Sequence, residues 1–153
     1  MFYKYLSVYV FIVFLLVLYT CKDKGTNPQD VEIPLPTENF NYEEHISKIF
    51  TLKCSNPEKV GGCHISPEYA RGLDLGNYAL ILTHHVITNE PLVMYDEESG
   101  IGDGQASYLY RVLISGMVTG TTRMPKDLPP LSAKYTNAIK VWIDEGLKEK
   151  PDN

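Results

Sequence analysis

The sequence predicts an all-α domain of about four helices joined by long irregular loops. Three observations predict it. Apolar residues recur at the i, i+3, i+4 spacing of a helix face in separate stretches, and a residue able to cap or open a helix stands before each stretch. The alternation that marks a half-buried strand is nearly absent. The composition suits one globular domain, with 153 residues, 44% hydrophobic and 22% charged. A formal charge of −5 argues against a nucleic-acid surface, which needs a basic face, so no nucleic-acid partner is expected.

The first segment stands outside the domain. Tyr5 to Thr20 carries no charge, and Lys4 is the only positive residue before it, which reads as a signal peptide over residues 1–20. Cys21 ends this apolar run, and "LYTC" resembles a bacterial lipobox, whose cysteine is lipidated and opens the mature chain. An uncleaved anchor is the other reading, although sixteen uncharged residues fall short of the roughly 20 that a span needs. Either reading puts the rest outside the cytoplasm, and the first makes a membrane-anchored lipoprotein facing the periplasm or the cell exterior. Removing residues 1–20 deletes Lys4 and no acid, which leaves 13 basic and 19 acidic residues, a net of −6. Residues 21–40 read as the lipidated cysteine and a flexible tether, because Gly25, Pro28, Pro34 and Pro36 interrupt a segment with no helical apolar period. Residues 41–150 are the folded domain.

Asn41 and Glu44 have capping-box spacing, and Ile46, Ile49 and Phe50 follow on one face, so a helix is expected from Tyr42 to about Lys53. His45 falls on its solvent side. Asn77 caps a short helix through Leu82. Residues 88–106 read as irregular, with Pro91, Gly100, Gly102 and Gly104. Ser107 opens a helix carrying Leu109, Val112 and Leu113, and Gly116 stands where a left-handed C-terminal cap would be. Pro129, Pro130 and a capping Ser132 precede the last helix, whose Tyr135, Ala138, Ile139, Trp142 and Ile143 form a broad apolar stripe up to Gly146.

The chemistry gathers at "CSNPEKVGGCHIS". A Cys followed directly by His is the second half of the C-x-x-C-H haem-attachment pattern, in which two thiols form thioethers to the porphyrin and the neighbouring His reaches the iron. Cys63-His64 keeps that adjacency. Cys54 stands eight intervening residues away rather than two, and closing the longer loop costs only about 1.2 kcal/mol more. Pro57 and Gly61-Gly62 supply turns for it. Two other readings stay open on these residues: a Cys54–Cys63 disulfide stapling a haem-free exported binding or structural domain, and a zinc site of Cys54, Cys63, His64 and His84 or His85. The run "GIGDG" lacks the third glycine of a dinucleotide loop, and "DEESGIGDG" lacks a calcium-loop pattern.

Five pieces in order extend the haem reading: "HISKIFTLKCSNPEKVGGCH", "RGLDLGNYAL", "IGDGQASYLYRVL", "TTRMPKDLPPLS" and "AIKVWIDEGL". In this order residues 42–147 resemble a group of exported bacterial c-type cytochrome domains often found in lipoproteins. The resemblance implies a small all-α cytochrome c-like fold around a haem pocket. It implies haem c held through Cys54 and Cys63, with iron ligated by His64 and Met124. It implies Tyr108 and Trp142 against the haem edge, and Arg71 and Arg123 as partners of the propionates. The implied activity is transfer of single electrons rather than catalysis, to redox proteins whose basic docking patches suit an acidic chain. An exchangeable sixth position would make the same haem a sensor or peroxidase centre.

Overall fold

The computed structural model describes residues 31–54, 64–65, 68–69, 72–86, 89–114, 123–126 and 128–151. Helix α1 opens with a π-helical turn, Tyr42–Ile46, and continues as an α-helix, Ser47–Lys53. Strands β1 (His64–Ile65) and β2 (Glu68–Tyr69) follow, then α2 (Tyr78–Thr83), β3 (Met94–Asp96), β4 (Ile101–Asp103), α3 (Tyr108–Ile114) and α4 (Ala133–Asp144).

The all-α expectation is corrected. Among the described residues four helices are present, but β1 pairs antiparallel with β2 and β3 with β4, so the content is mixed. The second pair lies inside the stretch that reads as irregular. Its strands are three residues long, and β3 is exposed throughout, so no buried face imposes alternation on the sequence. What holds the pair is turn chemistry. Gly100 N–H bonds the Asp96 carbonyl at 2.9 Å with Gly100 at φ +69°. The Asp96 carboxylate accepts from Glu98 N–H at 3.0 Å and from the Ser99 hydroxyl at 2.8 Å.

The helices form where the caps and periods predict. Asn41 Oδ1 accepts from Glu44 N–H at 2.8 Å, and Asn77 Oδ1 accepts from Leu80 N–H at 3.2 Å. His45 departs from its expected solvent role: its Nδ1 accepts from Asn41 N–H at 3.1 Å and its ring sits edge-on to Phe40. Ser132 occupies the N-cap of α4 without a side-chain cap bond; its carbonyl accepts from Tyr135 and Thr136 N–H instead. Gly116 lies outside the described residues.

Helix α4 is the hub. It packs against the first turn of α1, against β4 and against α3. All five residues of its apolar stripe are buried. The fully buried set joins Trp142, Ile139, Ile143 and Leu147 to Ile46, Ile49 and Phe50 of α1, Ile81 of α2 and Leu92 before β3. Each such side chain contributes about 1.5–3 kcal/mol of burial. The helix ends in a Schellman turn: Gly146 N–H bonds the Ile143 carbonyl at 3.0 Å and Leu147 N–H bonds the Trp142 carbonyl at 2.9 Å, with Gly146 at φ +92°.

Residues 31–40, assigned to the tether by composition, run along the domain. Ile33 and Phe40 are buried, Ile33 N–H donates to the Tyr135 hydroxyl, and Glu145 accepts from Asn39 and Phe40 N–H at 2.8 Å each.

The glycines of "GIGDG" let the hairpin press on α4. A Cβ at Gly102 would stand 2.0 Å from the Ile143 carbonyl oxygen, and one at Gly104 would stand 2.6 Å from the Lys140 carbonyl oxygen. Neither backbone atom can move aside cheaply. Gly102→Ala is therefore expected to lower stability by about 1–3 kcal/mol. Urea denaturation followed by circular dichroism checks this, and a wild-type midpoint would contradict the close packing of β4 on α4.

Candidate functional site

Cys54 stands at the C-cap of α1, where its N–H bonds the Phe50 carbonyl at 3.1 Å. The helix delivers it to the edge of the core, against which it packs half-buried as a free thiol. Burial pushes that thiol up to about 12, so it is neutral at ordinary pH. The residue before it, Lys53, is a buried cation, 5.0 Å from the centre of the Tyr135 ring and bonded to the Val31 carbonyl.

His64 lies half-buried on β1, in register with Tyr69. A relay of bonds fixes its backbone to the core. Leu75 N–H donates to the His64 carbonyl at 2.6 Å, the Tyr42 hydroxyl donates to the Leu75 carbonyl at 2.7 Å, and the Tyr42 ring lies 6.1 Å from that of Trp142. Leu73, Asp74 and Leu75 of the "GLDL" stretch are buried, and Asp74 closes a turn by accepting from Gly76 N–H at 2.8 Å. This stretch is the brace behind His64.

Met124 is half-buried against the same core, and its N–H bonds the Val112 carbonyl of α3 at 2.9 Å. Pro125 beside it is buried. Arg123 donates from Nη2 to the Leu128 carbonyl at 2.9 Å, while its buried Nη1 has no hydrogen-bond partner among the described residues. Such an orphaned guanidinium donor is costly unless an acceptor reaches it. Tyr108 is buried on α3 beneath the Arg111 guanidinium, 5.8 Å from the ring centre. Trp142 is fully buried, and its indole N–H donates to the Lys148 carbonyl at 3.0 Å.

The structure thus brings together two groups. Trp142, Tyr42 and the His64 backbone form one; Met124, Arg123 and the α3 segment bearing Tyr108 form the other. Cys54, Ile65 and Met124 all border one hydrophobic core. Cys63, Arg71 and Cys21 lie outside the described residues. His84 is half-buried, and burial followed by the neighbouring His85 lowers its pKa. His85 is exposed, with Nδ1 3.1 Å from the Thr83 carbonyl oxygen. Among the described residues no three His, Cys, Asp or Glu side chains gather as a metal site. Among them, too, no helix is long and apolar enough to cross a membrane.

Sequence reasoning missed Tyr42, Lys53 and Glu145 as organising residues. Tyr42 offered a signal: a hydroxyl-bearing aromatic at the start of an apolar helix needs a buried acceptor. Lys53 and Glu145 offered none, since their partners are distant main-chain groups and a ring.

No family model, no curated protein and no solved structure matches the chain.

Burial, followed by the Asp74 charge, also pushes Tyr42 up to about 12. In the unfolded chain a cysteine ionises above roughly pH 8.5 and a tyrosine above roughly 10. Above those values the unfolded state holds fewer protons than the folded one, so stability falls as pH rises. With the Cys54 thiol free, the urea midpoint should hold level up to about pH 8.5 and then decline. Cys54→Ala should move the onset of decline upward, and Tyr42→Phe should remove part of the loss above about pH 10. A midpoint unchanged to pH 11 would contradict both assignments.

Proposed function

We propose that the chain is an exported, membrane-anchored monohaem c-type cytochrome that passes single electrons between redox proteins. The observation that carries the reading is convergence. Cys54, Ile65 beside His64, and Met124 are scattered over seventy residues of sequence, yet all pack against one apolar core. Core contact suits a cofactor that must be held in low dielectric with an edge near solvent.

The residues fit the group. Cys54 offers a neutral thiol packed on the core, while His64 and Met124 offer a borderline imidazole and a soft neutral thioether, both half-buried. The buried Nη1 of Arg123 needs an anionic acceptor, and a propionate is one. Cys54 and Cys63 would hold the haem covalently, His64 and Met124 would ligate its iron, Arg123 and Arg71 would face its carboxylates, and Tyr108 and Trp142 would wall it. Bound there, haem supplies a one-electron iron couple whose potential a His/Met pair raises. The protein's own part is rigid placement. The Leu75–Tyr42 relay holds the imidazole backbone, the Val112 bond holds the thioether segment, and partial burial limits the access of water to either donor. With His64 and Met124 both engaged by the iron, the group would favour electron transfer over small-molecule turnover. The signal segment and a lipid on Cys21 would tether the domain to the membrane face in the periplasm or at the cell exterior.

Intact mass of the mature protein, co-expressed with a haem-maturation system, tests the reading directly. It is expected to exceed polypeptide plus lipid by one haem, and a denaturing gel should stain for haem. A colourless product with Cys54 and Cys63 joined in a disulfide would overturn the proposal and leave the stapled binding domain in its place. Met124→Ala is expected to abolish the thioether–iron charge-transfer band. It should also lower the midpoint potential by a sizeable part of the roughly 0.8 V range that axial ligands span. Survival of the band would remove Met124 as a ligand.

A further inference from the structure

We infer that the cleft between α2 and the β3–β4 hairpin is a docking groove for a cationic protein segment that inserts an apolar side chain. This goes beyond the haem reading and does not depend on it.

The cleft has a volume of about 380 Å³. Tyr78 and Leu82 of α2 form one side, Val93, Met94 and Tyr95 form the other, and Glu97 stands at its rim. The floor is anchored, because Val93 is buried and the Tyr78 hydroxyl donates to the Leu147 carbonyl at 2.6 Å. The upper walls are not covered. Met94 is 41% exposed and Tyr95 37%, and Leu80 and Ile101 on the same two elements are 42% and 61% exposed. Four of the six large apolar side chains left exposed among the described residues therefore belong to α2 and the hairpin. Met94 and Tyr95 line the cleft and yet stay more than a third exposed, so its apolar lining is open to a partner.

Charge selects the occupant. From residue 72 to residue 110 the chain has six acidic residues and no Lys or Arg. The remainder holds 14 basic and 13 acidic residues, so the whole net negative charge comes from this one stretch. Four of the six acids are engaged. Asp74 and Asp103 accept from turn N–H groups, Asp96 holds the hairpin turn, and Glu90 pairs with Arg111 at 2.6 Å. Glu97 and Glu98 are exposed at the hairpin tip with no ion pair among the described residues. An uncompensated acidic rim beside an apolar floor complements a Lys- or Arg-bearing segment with an aliphatic or aromatic side chain. It repels an acidic one.

The test uses the full chain in detergent micelles, with and without attached haem. The probe is a labelled peptide of alternating lysine and leucine, read by fluorescence anisotropy and compared with oligolysine of equal charge. The alternating peptide should bind roughly tenfold more tightly than oligolysine, with affinity falling as salt rises. Glu97→Lys should weaken it several-fold, whereas Glu38→Lys, the same charge change on another exposed acid, should leave it unchanged. Met94→Ser, at an exposed position that folding does not require, should erase the advantage of the alternating peptide. Equal binding of the two peptides, equal losses in E97K and E38K, or full displacement by spermine would each reduce the site to diffuse charge and overturn the proposal. Loss of haem alone should move none of these values. A failed haem test therefore leaves this one standing, and the reverse also holds.

Discussion

The turn at residues 145–149 is the constraint on which the rest depends. A helix leaves its first N–H groups without partners, and a buried donor left unpaired costs about 1–3 kcal/mol. Here the last residues of the domain supply the acceptors for the first helix. Tyr42 N–H bonds the Lys148 carbonyl at 2.9 Å, and Glu43 N–H bonds the Glu149 carbonyl at 3.0 Å. Just upstream, the Glu145 carboxylate takes Asn39 and Phe40 N–H. The Lys148 carbonyl also accepts the indole N–H of Trp142, so one oxygen ties α1, α4 and the central aromatic together. The turn reaches these donors only because α4 reverses sharply at Gly146, whose φ of +92° is a region that glycine enters without steric cost. A Cβ there would also meet the Gly100 carbonyl oxygen at 2.4 Å, so the same glycine admits the hairpin.

From that knot two arms reach toward the candidate ligands. Through α1 it fixes Tyr42, whose hydroxyl and ring brace Leu75 and Trp142, and Leu75 in turn holds the His64 backbone. Through α4 it fixes α3, whose Val112 carbonyl holds Met124. Among the described residues, His64 is held by its pairing with β2 and by the Leu75 bond, and Met124 by the Val112 bond. Under the proposed function, the scaffold fixes the main chain at both candidate ligands before a covalent group is bound.

The helices were legible because their signals are local. Asn41 and Asn77 cap the helices that follow them, and the stripe from Tyr135 to Ile143 lies on one side of α4 at the expected spacing. The β3–β4 pair was not legible. Two strands of three residues, β3 exposed throughout, show no period, and Gly102 and Gly104 serve close approach to a helix far along the sequence. The C-terminal acceptors were hidden for a related reason: Glu145 meets Phe40 across 105 residues, and main-chain carbonyls carry no sequence signature. His45 shows the limit of a face assignment. It lies off the apolar stripe, yet the missing acceptor for Asn41 N–H draws its ring inward. At the candidate site, the donor types could be read from Cys54, His64 and Met124, but the core shared by Cys54, Ile65 and Met124 could not. That core depends on how α1, Leu75 and α3 pack.

The division of charge along the chain follows from this same architecture. The segments bearing the candidate ligands His64 and Met124 flank residues 72–110, and this intervening stretch runs between them through α2 and the hairpin. It contributes Ile81, Leu92 and Leu109 to the core, while its remaining surface is free to vary. A carrier of single electrons needs partners that arrive quickly and leave quickly. Long-range charge speeds arrival, and a contact limited to one small apolar cleft keeps residence short. Under the proposed function, strong attraction spread over the whole surface would slow release, so confining the negative charge to one stretch is the arrangement that turnover favours.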